Sequence, residues 1–280
     1  MNNDRLLYRR GILQLVASGF FLSTSGIALR IIEQADGWQI LFYRSLALSV
    51  TILLILVFQK GSRFFDEFRG LGWNDCLLAV FLGTGFVAYV FALLYNTVAN
   101  ALFIFSCAPF VAGFLGWILL GERVATRTWF AIGVTMAGLA VMVGSELAVS
   151  HYLGTLIALW IPIAYAASII AVRSSKRDNM LVALCLAGLV AGGLSAIFVT
   201  DYALTSRDLI ISLYLGVFQV GAGFTLVVLG ARYVPAAQVG LLALVEPVLA
   251  PIWVWMGVGE VPSLATIVGG TIIFLAITTD

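Results

Sequence analysis

The chain has 280 residues, 62% of them hydrophobic and 10% charged, with a mean hydropathy of +1.08, where soluble domains carry roughly a quarter charged residues. That balance excludes a soluble globule, and a net charge of +1 leaves no basic excess to neutralise phosphates, which excludes nucleic acid as a partner. The three cysteines, Cys76, Cys107 and Cys185, have no metal or redox spacing and read as small buried hydrophobes.

Roughly 20 apolar residues cross a hydrocarbon core as a helix. Ten stretches qualify, at 11–32, 38–58, 74–94, 98–120, 126–144, 152–173, 180–200, 209–231, 235–256 and 262–278. The start, MNNDRLLYRR, resembles the charged region of a signal peptide. The apolar stretch behind it is too long and lacks a small-x-small cleavage site, so it reads as a retained first span. Connections are short throughout, and residues 1–280 form a single membrane domain.

Span 1 carries three hydroxyls, Ser23, Thr24 and Ser25. Span 2 holds Arg44 about two turns from its outer end. That guanidinium is placed to reach the interface, to pair with Glu33 or Asp36, or to meet Glu246, from which its depth differs by about 6 Å. Span 3 contributes Gly83, Gly85 and Tyr89; span 4 contributes Asn100, Ser106 and, mid-span, Pro109, and ends on Gly121-Glu122. After span 5, the lone histidine, His151, falls in an outer loop that divides the chain around 145–151. Span 6 brings Trp160 and Tyr165, span 8 Gln219, and span 9 Gln238, Glu246, Pro247 and Pro251. Small residues suited to close helix contact recur as Gly188 with Gly192, Gly133 with Ala137, and Gly269 with Gly270.

The run from Gly83 to Glu122 returns without a gap at an offset of 138 as Gly221 to Glu260. Eleven of forty positions are identical, where this composition gives roughly four by chance. The pairs include Gly83/Gly221, Gly85/Gly223, Phe86/Phe224, Pro109/Pro247, Trp117/Trp255, Gly121/Gly259 and Glu122/Glu260. Recurrence in both halves opens a hinge role for the first two glycine pairs, beside close packing. Lys and Arg stay on the cytoplasmic side of span ends. With the N-terminus inside, twelve of the fifteen fall in cytoplasmic segments, one in the outer loops, and Arg30 and Arg44 within spans. This predicts both termini in the cytoplasm. Five spans per half then force the second unit (152–278) to be inverted relative to the first (11–144).

No phosphate loop, HExxH or GxSxG elbow is present, and the histidine has no carboxylate or cysteine neighbour. The chain is therefore read as not an enzyme, with no cofactor and no metal. Intramembrane charge is expensive, which makes Glu246 and Arg44 the candidates for coupling or gating. For Glu246, near the midplane, two roles stand open: proton exchange between the two sides, or a structural bond to a neighbouring helix. Pro109, Pro247 and Pro251 remove amide donors and bend their helices, freeing carbonyls of the kind that line cavities. Ser23, Thr24, Tyr89, Asn100, Ser106, Trp160, Tyr165, Gln219 and Gln238 make up the predicted substrate cavity. Such a lining, polar and aromatic with few fixed charges, suits a small zwitterion or neutral metabolite better than a polyanion. Glu122 and Glu260 read as structural, each near a helix start after a closing glycine.

Four segments carry a family resemblance: LVEPVLAPIWVWMGVGE (244–260), CAPFVAGFLGWILLGER (107–123), RSLAL after Phe42-Tyr43, and AYAASIIAVRSSKR at the end of span 6. With them the chain resembles the drug/metabolite transporter superfamily, in its EamA-type ten-span exporters. The resemblance implies an all-α inverted five-plus-five bundle around a central cavity, in the inner membrane. It implies export of amino acids, aromatic or other small neutral ones, or of related small metabolites. The expected partners are that small-molecule substrate, the lipid bilayer and protons. The rival expectations are a passive facilitator without ion coupling, and a non-transporting membrane sensor.

Overall fold

The structure is a computed structural model that describes residues 2–95, 101, 104–143, 152–177, 180–259 and 264–279. Its regular structure is helical, with no strand among the described residues. The helices are α1 (Asn2–Leu22), α2 (Ser25–Arg30), α3 (Gly37–Lys60), α4 (Phe64–Arg69), α5 (Trp73–Tyr95), α6 (Ala108–Leu120), α7 (Thr126–Val143) and α8 (Tyr152–Ser174). They continue with α9 (Leu181–Phe198), α10 (Ser206–Tyr214), α11 (Gly223–Gly230), α12 (Ala236–Ala243), α13 (Val245–Val258) and α14 (Leu264–Thr279). A π-helical stretch, Leu215–Ala222, joins α10 to α11. Among the described residues, seven rods are long and apolar enough to cross a membrane, and two shorter apolar helices, Ala108–Leu120 and Ile267–Ile277, accompany them.

The larger contacts between rods recur in pairs. Helix α5 packs on α8 as α1 packs on α11; α6 packs on α8 as α13 packs on α2; and α3 meets α9, α6 meets α12 and α7 meets α14. In a solvent as apolar as the side chains, such contacts need close backbone approach. Glycines provide it. A Cβ on Gly188 would stand 2.3 Å from Ser49 Oγ, one on Gly83 2.8 Å from the Ala187 carbonyl, and one on Gly223 2.8 Å from Leu22. Gly138, against Ile272 and the Gly269 carbonyl, makes the α7–α14 contact, whereas Gly133 and Gly270 face open space, contrary to the packing expected of them.

Chain ends and breaks follow local chemistry. Helices α6 and α13 both close on a left-handed glycine, Gly121 (φ 67°) and Gly259 (φ 74°), a conformation that a Cβ disfavours. Span 1, expected as one helix over 11–32, begins earlier and breaks between α1 and α2. The Ser23 and Thr24 hydroxyls donate back to the Phe20 and Phe21 carbonyls, at 2.7 and 2.8 Å, which competes with the helical ladder. Cys76 is exposed rather than buried; Cys185 is buried.

Two polar clusters tie the bundle outside the spans. At the start of α3, Asp36 accepts from the Trp38 and Gln39 amides, and Gln39 Oε1 accepts from the Asp36 amide. The Asp208 carboxylate accepts the amides of Glu33, Gln34 and Ala35 at 3.0–3.1 Å, and Arg207 pairs with Glu33. An uncharged methyl leaves those three donors without an acceptor. Asp208→Ala is expected to speed hydrogen exchange at residues 33–35 by at least about tenfold while α9 is unchanged, read by exchange mass spectrometry. At the opposite end Glu67 takes Lys60 at 2.9 Å and Arg177 at 3.0 Å. The hydrogen bond from Lys60, then the two positive charges, hold its carboxyl below the usual range. The tie therefore persists at neutral pH and weakens only on acidification through that lowered value.

Candidate functional site

Proline has no N–H, so Pro109 and Pro247 deprive the carbonyls four residues back, Phe105 and Ala243, of their helical donor. Both rods break there: Cys107 N–H bonds to the Ile104 carbonyl and Leu244 N–H to the Leu241 carbonyl, tight turns just before α6 and α13. Pro251 sits within α13, and Pro162, a bend the sequence reading passed over, within α8. Phe105 and Ala243 line one cavity, walled also by the repeat-related pair Phe86 and Phe224. The broken rods thus place Phe105 and Ala243, whose carbonyls lose the helical donor, beside the cavity in the middle of the bundle.

The cavity encloses about 50 Å³; at about 10–15 Å³ per water it holds a handful of water molecules. Its polar groups are Arg44 from α3, Tyr89 from α5, Tyr165 from α8, Gln219 from the π stretch and Glu246 from α13. Glu246 is 5% exposed and Arg44 3%. The Tyr89 hydroxyl donates to Glu246 Oε1 at 2.9 Å. With that proton committed, Ser25 Oγ, 3.0 Å from the Tyr89 oxygen, donates to it. A relay Ser25, Tyr89, Glu246 therefore joins α2, α5 and α13. Arg44 lies with its guanidinium carbon 5.5 Å from the Phe86 ring centroid, and its Nη1 has no hydrogen-bond partner. Gln219 Nε2 donates to the Leu22 carbonyl at 3.4 Å, while Oε1 has no partner.

Arg44 neither reaches the interface nor pairs with Glu33 or Asp36. Those carboxylates are taken by Arg207 and by the cap of α3, and Arg44 points inward instead. Of the residues expected in the cavity, Tyr89, Tyr165 and Gln219 line it. Ser23 accepts from Trp253 Nε1 at 2.7 Å, Thr24 bonds back along its own turn, and Gln238 Oε1 accepts from the Tyr8 hydroxyl at 2.9 Å. Trp160 is 37% exposed and donates to Thr84 Oγ1, and Ser106 is buried at the turn before α6. None of these five is in the cavity wall. Asn100, His151 and Glu260 lie outside the described residues. The aromatic walls, Phe86, Phe224 and Phe105, were missed as site residues; their signal was the identical Phe86/Phe224 pair in the repeat.

Toward the end of the bundle where α6 stops, Glu122 proves to be more than a helix-start charge. Its Oε1 pairs with Arg173 of α8 and its Oε2 accepts the Ala236 amide that opens α12, at 3.0 Å. Arg173 Nη1 also donates to the carbonyls of Ala231 and Val234.

Two stretches, 9–144 and 152–279, each match the model of the EamA-like transporter family. The chain belongs to that family. This EamA-like protein is accordingly a multi-pass membrane protein of a transporter family. A curated relative from Archaeoglobus fulgidus, described as an uncharacterized transporter, is 25% identical over 202 residues, 71% of this chain and 73% of the relative. One solved crystal structure superposes with a TM-score of 0.81 over 96% of each chain at 17% identity, a likeness of fold. The cavity draws Arg44 and Tyr89 from the first matched stretch, Gln219 and Glu246 from the second.

Proposed function

We propose that the chain is a secondary transporter of the inner membrane that exports small neutral amino acids, aromatic ones included, or related small metabolites by alternating access. In this reading ten spans form two five-helix units, 11–144 and 152–278, inverted relative to each other with both termini cytoplasmic. The doubled family match and the two-fold pattern of helix contacts support it. Rocking one unit against the other around a fixed central site is the motion that such internal symmetry suits.

The observation that carries the reading is the Glu246 carboxylate, buried in the cavity and bonded across the two units by Tyr89, whose hydroxyl in turn meets Ser25. A protonated carboxyl has one acceptor site fewer and one donor more. Proton binding therefore rewrites the bonds between α5 and α13, and a proton gradient acquires a handle on the relative position of the units. Pro109 and Pro247 supply the flexible breaks about which the central helix segments tilt.

The test is flux of labelled threonine, methionine and aromatic amino acids in proteoliposomes of the purified chain, with and without a pH gradient. Wild type is expected to show saturable flux that the gradient drives. Glu246→Gln is expected to keep substrate exchange but retain at most about a tenth of the gradient-driven flux, in the range that loss of a general acid–base group brings. Flux indifferent to both gradient and mutation would make the protein a passive facilitator with a structural glutamate. No flux across the panel would remove the amino-acid assignment.

A further inference from the structure

A guanidinium buried in a membrane protein without a hydrogen-bond partner is among the costliest features a chain can keep, and it marks a functional position. Arg44 is such a group: 3% exposed, resting over the Phe86 ring, with Nη1 unpaired. Glu246 faces the same cavity but takes its hydrogen bond from Tyr89. A second orphan lines the same cavity. Gln219 is 2% exposed, and because its Nε2 donates to the Leu22 carbonyl, the unpaired end is its oxygen.

These two orphans are held together by backbone. A Cβ on Gly216 would stand 2.3 Å from the Arg44 carbonyl oxygen and 2.5 Å from Ala47 Cβ, so α3 rides directly on the π-helical stretch that presents Gln219. A π turn inside a rod is rare and falls frequently at functional sites. The unmet needs of the two groups are opposite in sense: a charged donor seeking an anion, and a neutral acceptor seeking N–H or O–H. Around them stand Phe86, Phe224 and Tyr165. A sugar or polyol lacks the charge that Arg44 calls for, and a simple amine is repelled by it.

We infer that Arg44 and Gln219 form the head-group subsite of the cavity, Arg44 Nη1 taking the carboxylate of an α-amino acid and Gln219 Oε1 its adjacent ammonium, with the side chain against the aromatic walls. The inference rests on the transport reading above and sharpens it: carboxylate and amine are both read, and Arg44 determines specificity rather than driving coupling.

The experiment is calorimetric titration of the full-length protein in detergent with L-valine, L-methionine and L-phenylalanine, each beside its decarboxylated amine and its N-acetyl derivative. In wild type both analogues are expected to bind roughly 10- to 100-fold more weakly than the parent, the penalty for an unmet charge-assisted bond. Arg44→Gln is expected to weaken the amino acid by that factor and to tighten the amine, which no longer meets the repelling charge. Gln219→Leu is expected to weaken the amino acid and bring the N-acetyl derivative level with it; together with the wild-type analogue series it decides the matter should Arg44→Gln not fold. Amines that bind wild type as tightly as their amino acids, or a folded Arg44→Gln with wild-type affinity, would overturn the subsite and leave the transport reading standing. A wild type that binds none of the panel would overturn both.

Discussion

Arg173→Ala is expected to destabilise the detergent-solubilised protein by about 3 kcal/mol, near the lower bound for breaking a buried pair because this one is partly solvated. The Arg173 and Glu122 side chains are 16% and 21% exposed, so solvent screens the pair without dissolving it. One guanidinium binds Glu122 through Nε at 2.6 Å and through Nη2, and holds the Ala231 and Val234 carbonyls through Nη1. Its loss leaves a carboxylate without its counter-charge and two loop carbonyls without a donor, all at the turn between α11 and α12. Glu122→Gln is expected to cost less, about 1 kcal/mol, because an amide oxygen still accepts the Ala236 N–H. Equilibrium unfolding of the two single variants and the double variant checks both figures, with a coupling of at least about 1 kcal/mol expected between residues in direct contact. Additive losses would mean that the pair is incidental and that the loop is held by its other contacts. The same clamp joins α6 to α8 and α12 and so spans the two units. Its rupture is therefore expected to speed exchange at the 231–236 amides well before the cavity residues respond.

The scaffold was more legible than the chemistry, for a physical reason. Whatever the repeated architecture requires appears twice: the left-handed glycines 121 and 259, the prolines 109 and 247, the aromatic walls 86 and 224. The polar groups of the cavity appear once. Glu246 corresponds to Ala108, Tyr89 to Val227 and Gln219 to Phe81, so symmetry carries no information about them. Depth in a span picked out Glu246, and polar character within a span Tyr89, Tyr165 and Gln219, but neither says which face a side chain takes. Trp160 and Gln238 sit on apolar helices as Gln219 does, and found partners elsewhere in Thr84 and Tyr8. Of the three readings open for Arg44, two needed a free carboxylate near it in sequence, whereas one was occupied as a helix cap and the other by Arg207; the third, the neighbourhood of Glu246, is where it lies. The π stretch left only its glycines, 216 and 221, as a trace, and glycine spacing in a membrane helix reads first as packing.

Gly240→Ala carries the second large effect and tests that packing directly. The added methyl would stand 2.5 Å from Pro109 Cα and 2.9 Å from Pro109 N, backbone atoms of the segment where α6 begins. A flexible side chain could swing aside; a proline backbone cannot, so α12 and α6 must separate by several tenths of an ångström. The separation propagates, because the same stripe is close-packed at Gly113 and Gly116, where a Cβ would stand 3.3 Å from Ala237 and 3.1 Å from Ala236. Overpacking of this kind costs about 2–3 kcal/mol, and unfolding midpoints should fall accordingly. Gly133→Ala, open on all sides within 4 Å, should instead be neutral or slightly stabilising, by up to about 1 kcal/mol, since alanine favours a helix over glycine. The function should follow the packing. The α6–α12 stripe joins the two units directly beside Phe105 and Ala243, so prising it apart shifts the cavity wall. Gly240→Ala is therefore expected to lose transport even at temperatures where it stays folded. A Gly240→Ala protein with wild-type stability and flux would mean that the broken helices are not held by this contact, and the hinge would have to be sought at Ser23–Thr24.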